Sequence, residues 1–178
     1  MWSSRQRRFT PEVWLRLSRS DRAKAASEKM AMTGITLEKA QLLIEAAKSK
    51  AGAMGVAASV VVIDAGGNLK AFARMDGSWL GSIDVAIKKA KTSVLFEMET
   101  QIVWEIGNPQ AQAHGIELTN GGLVTFAGGI PLKDVRGLLG AIGVSGGLVA
   151  QDYEVARAGA AALEGDAGSD HGRLLRSS

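Results

Sequence analysis

The sequence predicts an α/β protein of the α+β type: an α-β-α layered domain with a roughly five-stranded antiparallel sheet packed by helices. Three observations predict it. A β-branched apolar run at 56–63 is followed by turn chemistry, Asp64-Ala65-Gly66-Gly67-Asn68, and then by an alternating run at 69–75. Such a hairpin makes neighbouring strands antiparallel and excludes a doubly wound parallel sheet. Segments with helical apolar spacing lie on both sides of the hairpin, and a second strand-rich, glycine-rich region follows before a last helix.

Taken in order, 33–54 is a helix. Thr36 can cap it, and Leu37, Ala40, Leu43, Ile44 and Ala47 recur at helical spacing, with Gly52 and Gly55 bracketing its end. Residues 56–63 form a buried strand. In 69–75, Leu69, Ala71 and Ala73 alternate with Lys70, Phe72 and Arg74, as on a returning strand that Asp76-Gly77 ends. Residues 83–98 form a second helix on a stripe of Ile83, Ala86, Ile87, Ala90, Val94 and Leu95. A short helix at 99–106 stops at Gly107-Asn108-Pro109. Residues 110–120 fit no single period. A strand at 123–126 leads into Ala127-Gly128-Gly129-Ile130-Pro131-Leu132, and 137–144 is another buried strand. Ser145-Gly146-Gly147 turns the chain into a helix at 148–163.

Composition narrows the class. A chain of 178 residues makes one ordinary domain, residues 33–163, and 22 glycines without a collagen period are punctuation inside a fold. The absence of cysteine excludes disulfides, thiol catalysis and Cys-ligated metal. No apolar run reaches the roughly 18 residues of a membrane span. Residues 1–32 carry 8 of the 21 basic and 3 of the 18 acidic residues, so the basic balance belongs to an N-terminal extension expected to be flexible. The body is mildly acidic, which speaks against nucleic acid. Gln6-Arg7-Arg8-Phe9 faintly resembles a twin-arginine signal, but Glu12 and Arg16 break the apolar segment that must follow. The expected location is therefore cytoplasmic. Residues 164–178 are polar and expected to form a flexible tail.

Five motifs in order then carry a resemblance. They are Arg74-Met75-Asp76-Gly77, Ala86-Ile87-Lys88-Lys89-Ala90-Lys91-Thr92, Gly128-Gly129-Ile130-Pro131-Leu132, Gly140-Ala141-Ile142-Gly143-Val144-Ser145-Gly146, and Gln151-Asp152. Together they resemble the GlcG/HbpS family, which includes the C-terminal domain of PduO-type proteins. The resemblance implies a compact α-β-α domain that assembles into homo-oligomers. It also implies haem as a candidate cofactor, or a role beside catabolic enzymes for small acids or diols. In haem-binding relatives a first-helix histidine is implicated as iron ligand; the first helix here has none.

The candidate residues follow. His114, the body's only histidine, is the candidate metal ligand or acid–base group; the plainer reading is a loop histidine. Arg74 and Asp76 end a strand, where side chains can face a ligand: Arg74 can grip a carboxylate or haem propionate and Asp76, like His114, could move a proton in a catabolic enzyme, or the two pair to hold the turn. Lys89 matches the lysine of the family's helix motif and can meet an anionic ligand. Gly128, Gly129 and Gly146 permit close packing or φ > 0, and lack the nucleotide-binding layout. Ser145 precedes a helix, where it can cap or where free N–H groups can take an anion. Gly143-Val144-Ser145-Gly146-Gly147 matches a nucleophile elbow by letter, but no Asp…His order follows it, which discounts a hydrolase. The favoured function is a homo-oligomeric binding protein, accessory or sensor, for haem or a similar anionic or planar small molecule. The alternatives are a small catabolic enzyme for an organic acid and a purely structural assembly role.

Overall fold

The computed structural model describes residues 18–21, 34–135 and 137–174, the stretch 164–174 by its backbone alone. The chain divides into two units, Met1–Thr33 and Gly34–Ser178. Of the basic extension expected at 1–32, all but 18–21 lies outside the described residues, as do the side chains of the expected tail.

Among the described residues, the second unit holds four α-helices and four strands. Helix α1, Leu37–Ala53, is capped by Thr36, whose Oγ1 accepts the Lys39 N–H at 3.2 Å. Its stripe of Ala40, Leu43, Ile44, Ala47 and Ala51 is buried. Gly55, at φ +66°, releases the chain toward β1, Ser59–Asp64. The hairpin turn closes on Asp64, whose Oδ1 accepts the N–H groups of Gly66 and Asn68 at 2.9 Å each. Strand β2, Leu69–Arg74, returns antiparallel, pairing Arg74 with Ser59 and Phe72 with Val61. Helix α2, Gly81–Phe96, ends at Glu97 in the left-handed region. Helix α3, Thr100–Gly107, and a 3-10 turn, Ile116–Leu118, follow. The last elements are β3, Gly129–Asp134, β4, Gly137–Ser145, and α4, Val149–Leu174. The last helix thus runs past residue 163, where apolar spacing alone would end it.

The sheet is antiparallel with the order β2-β1-β4-β3. It has four strands, one fewer than the sequence predicts. The missing strand is 123–126. Its backbone finds other partners: the Leu123 N–H donates to Glu117 O at 2.9 Å and the Val124 N–H to Thr92 Oγ1 at 3.2 Å. With those donors spent on a turn and a helix side chain, the segment has no ladder to join. Pro131 sits in β3, at the sheet edge, where a missing N–H is tolerated.

Alternation along the strands sorts the helices into layers. Val60, Val62, Ile142, Val144, Ile130 and Leu132 pack with α1 and α4 on one face. Val61, Ile63 and Ala141 pack with Ala86, Ala90 and Val94 of α2 on the other. The layered α-β-α architecture therefore holds, and central strand β1 is buried on both sides. At the crossing of α2 over β4 there is no room for a side chain: a Cβ on Gly143 would strike the Ala86 carbonyl and lie 2.8 Å from the Ala90 nitrogen. Gly143→Ala is therefore expected to cost about 2–3 kcal/mol by overpacking, read as a lower urea midpoint with an unchanged slope.

Candidate functional site

Lys89 lies on the sheet-facing stripe of α2 with Ala86 and Ala90, and is wholly buried. A buried ammonium needs a partner. The partner is Asp152, in the first turn of α4, whose Oδ2 accepts from Lys89 Nζ at 2.8 Å. Nζ also donates to the Val144 carbonyl at 2.9 Å, near the end of β4. The Phe126 ring completes the shell, its centroid 4.7 Å from Nζ, a cation–π contact. The other Asp152 oxygen, Oδ1, accepts the Gly147 N–H at 2.9 Å. Burial is the largest influence on both groups. It lowers the Lys89 pKa and raises that of Asp152, while their mutual attraction works against both shifts.

The glycines are the shape of this site. Gly128, at φ +119°, passes so close that a Cβ would lie 2.7 Å from Lys89 Nζ and 2.8 Å from Val144 O. The Gly129 N–H donates to Thr100 Oγ1 at 3.0 Å, and a Cβ there would lie 2.5 Å from the Lys89 carbonyl. Two N–H groups just ahead of α4 are taken by side chains of its first turn. Asp152 takes the Gly147 N–H, and Gln151 Oε1 takes that of Leu148 at 2.9 Å. Capping thus comes from the helix's own first turn.

Above the pair opens a cavity of about 370 Å³. Its floor holds Ser82, Ser145, Gly146, Gly147 and Asp152; Trp79, Val85, Phe126 and Val149 form its walls. Beneath Ser82 runs a chain of buried hydroxyls, with Ser82 Oγ 2.8 Å from those of Ser59 and Ser78. A larger opening, about 520 Å³, lies between the hairpin turn and α2, lined by Gly66, Asn68, Lys91 and Leu95 among others. It contains none of the predicted residues and no buried charge, so the smaller cavity is the better candidate.

Ser145 and Gly146 line this cavity, and Lys89, Gly128 and Gly129 support it from below. Arg74 stands in the same cross-sheet row as Ser145, with Ser59 between them, and its Nη1 donates to Ser78 O at 3.4 Å. Asp76 is exposed in the following turn and does not line the cavity. His114 is exposed in the loop after α3, where its N–H donates to Ala111 O, and it too is absent from the lining. Sequence reasoning missed Asp152, Phe126, Ser82 and Trp79 as site residues. Only Asp152 had a signal, as the acid that a lysine on an apolar stripe requires.

An α-β-α domain with a small cavity over a buried Lys–Asp pair is the class that this fold and site define. Residues 35–161 match a family profile described as haem-degrading protein HbpS-like, and the chain belongs to that family. It is 36% identical over 119 residues to an uncharacterized 15.0 kDa protein from the dhaT–dhaS intergenic region of Citrobacter freundii, covering 66% of this chain and 84% of that one. It is 33% identical to the corrinoid adenosyltransferase PduO of Citrobacter freundii, over 78% of this chain but only 42% of that protein. Among solved structures, a PduOC–haem complex superposes with a TM-score of 0.70 at 33% identity, over 72% of this chain and 94% of that one. HbpS superposes at 0.68 and 34%, over 74% of this chain and 91% of that one.

Removing one member of the pair should expose its cost. Asp152→Asn strands the Lys89 ammonium and is expected to lose about 3–5 kcal/mol of stability near neutral pH. The ammonium also loses the neighbour that raises its pKa, so its folded value falls further below the ordinary 10.5 of the unfolded chain. The unfolded state then binds more protons, and the stability of the variant rises with pH across that interval. Adding Lys89→Met to Asp152→Asn should recover most of the loss. Urea unfolding of the three variants across pH checks all of this.

Proposed function

We propose that this protein binds haem, or a similar planar anionic molecule, as a homo-oligomeric accessory or sensor in the cytoplasm. The observation that carries the reading is its likeness, at 33% identity and a TM-score of 0.70, to a domain solved with haem. The donor set agrees. A transition-metal ion bound by protein alone takes about three or four ligands, and among the described residues no group of three His, Cys, Asp or Glu side chains is placed to hold one. Haem brings its own ring nitrogens and needs only an axial ligand from the chain. Exposed His114 meets that need, and exposed Arg74 offers a guanidinium to a propionate. When bound, haem would supply a redox-active iron; the residues of this chain would hold and orient it.

Self-association is supported by large apolar side chains left in solvent: Trp79, Leu80, Leu118 and Leu148 are each more than seven-tenths exposed. No helix among the described residues is long and apolar enough to cross a membrane. A catabolic role on a small organic acid has less support, because neither His114 nor Asp76, the groups that would move a proton, lines the cavity.

The test is a haemin titration of the full chain followed by absorbance, beside His114→Ala and Arg74→Ala. The expected result is a saturable, equimolar Soret shift, with His114→Ala weakening affinity by about tenfold or more, ~1.4 kcal/mol. Light scattering should give a mass above the 18.6 kDa of one chain. An unsaturable signal would sink the haem reading, and a monomer mass would sink the oligomer.

A further inference from the structure

We propose that the cavity above the Lys89–Asp152 pair holds a small monocarboxylate, gripped by Ser145 Oγ and the open N-terminus of α4. This goes beyond the haem reading and uses neither Arg74 nor His114. Two independent observations carry it. The first is the mouth of the helix. Helix α4 begins at Val149, and its first turn closes with the Asp152 N–H donating to Leu148 O at 2.9 Å. The N–H groups of Val149, Ala150 and Gln151 therefore have no carbonyl behind them, and none has another partner among the described residues. Gly147 and Val149 both line the cavity, so this mouth opens onto it. The second observation is Ser145, only 8% exposed. It pairs across the sheet with Ser59, whose Oγ lies 2.8 Å from Ser82 Oγ, so its side chain stands on the same face as the cavity-lining Ser82. Its hydroxyl caps nothing and has no partner among the described residues. Buried polar side chains are nearly always bonded, so one left open beside open N–H groups points to an occupant.

The open groups choose the chemistry. The N–H groups only donate, and the Ser145 hydroxyl can donate with them. The other polar side chains of the lining are spent. Ser82 Oγ donates to Trp79 O and lies 2.8 Å from the Ser59 and Ser78 hydroxyls. The Asp152 side chain, 3% exposed, accepts from Lys89 Nζ and from the Gly147 N–H. A ligand rich in donors finds no open acceptor there, whereas an ionised carboxylate only accepts. Charge sets the number of negative groups. Lys89 balances Asp152 at 2.8 Å. What remains is the helix macrodipole, worth about half a positive charge at the N-terminus, which suits one negative charge better than two. Trp79, Val85, Phe126 and Val149 offer apolar walls to the carbon chain. The volume, about 370 Å³, lies at the lower end of ligand pockets, which run from roughly 300 to 1,000 Å³, so the occupant has few heavy atoms.

The test titrates sodium propionate and propionamide, which match in shape and differ in charge, into the full chain. The backbone amide resonances of Val149, Ala150 and Gln151 report binding. Propionate should shift them saturably, and propionamide should bind about tenfold more weakly or worse. Ser145→Ala removes a hydroxyl that bonds nothing in the fold, so it should weaken propionate about tenfold while the resonances of β1 and β4 stay in place. Val149→Pro deletes one N–H at the first helical position, where proline fits. It should weaken propionate by a similar factor, about tenfold, read at Ala150 and Gln151, with the resonances beyond Tyr153 unmoved. The proposal is overturned if propionate gives no saturable shift, if propionamide binds as tightly, if either variant leaves propionate binding intact, or if inorganic phosphate binds more tightly than propionate. A failed haemin titration leaves all of these readouts untouched.

Discussion

The ion pair between Lys89 and Asp152 is the constraint on which the rest of the domain turns. Its members come from opposite layers. Lys89 belongs to α2, packed on one face of the sheet, and Asp152 to α4, packed on the other. They meet beyond the end of β4, where the Val144 carbonyl takes another Nζ proton. The contact therefore ties the two helical layers together around the end of the strands, which apolar packing on either face cannot do. Burying two charges is expensive, and such a pair returns little net stability compared with apolar residues of the same shape. Its value is positional: the geometry that satisfies both charges fixes where the first turn of α4 sits.

Several glycines follow from that constraint. Nζ must reach across the sheet end, so the chain entering β3 has to pass directly over it, and only Gly128 leaves the space. To bring Lys89 close enough, α2 must lie low on β4, which excludes a side chain at Gly143. The turn into α4 has the same need, since a Cβ on Gly146 would strike the Ala57 carbonyl. Motifs far apart in the chain are thus parts of one close-packed junction. Glycine serves here for its lack of a side chain as much as for its backbone freedom.

This also explains what was legible in the sequence. The first helix, the hairpin and the layered class follow from local signals: the Thr36 cap, the 3.6-residue stripe and the Asp64 turn. The strand expected at 123–126 has the right residue types, and its failure is tertiary, because Thr92 and Glu117 take its donors. At the site, Ser145 and Gly146 were visible as a glycine-rich strand end. Lys89 was visible as a motif lysine, but its burial shows only once α2 is laid on β4. Trp79, Ser82 and Phe126 carried no signal. They are distant in sequence and gather only because the turn after β2, the start of α2 and the approach to β3 converge at the same end of the sheet.

The same convergence separates the residues suited to haem from the cavity. Haem carries negative propionates and needs an iron ligand, and the groups suited to those, Arg74 and His114, are exposed. The cavity is lined by groups that the fold already uses: Ser82 Oγ donates to Trp79 O at 2.6 Å, and Asp152 accepts from Lys89 Nζ and from the Gly147 N–H. A helix N-terminus ordinarily attracts anions. Here Asp152 is a built-in anion for the Gly147 N–H just ahead of the helix, while also neutralising Lys89. One side chain thus caps the helix, balances the buried ammonium and lines the cavity.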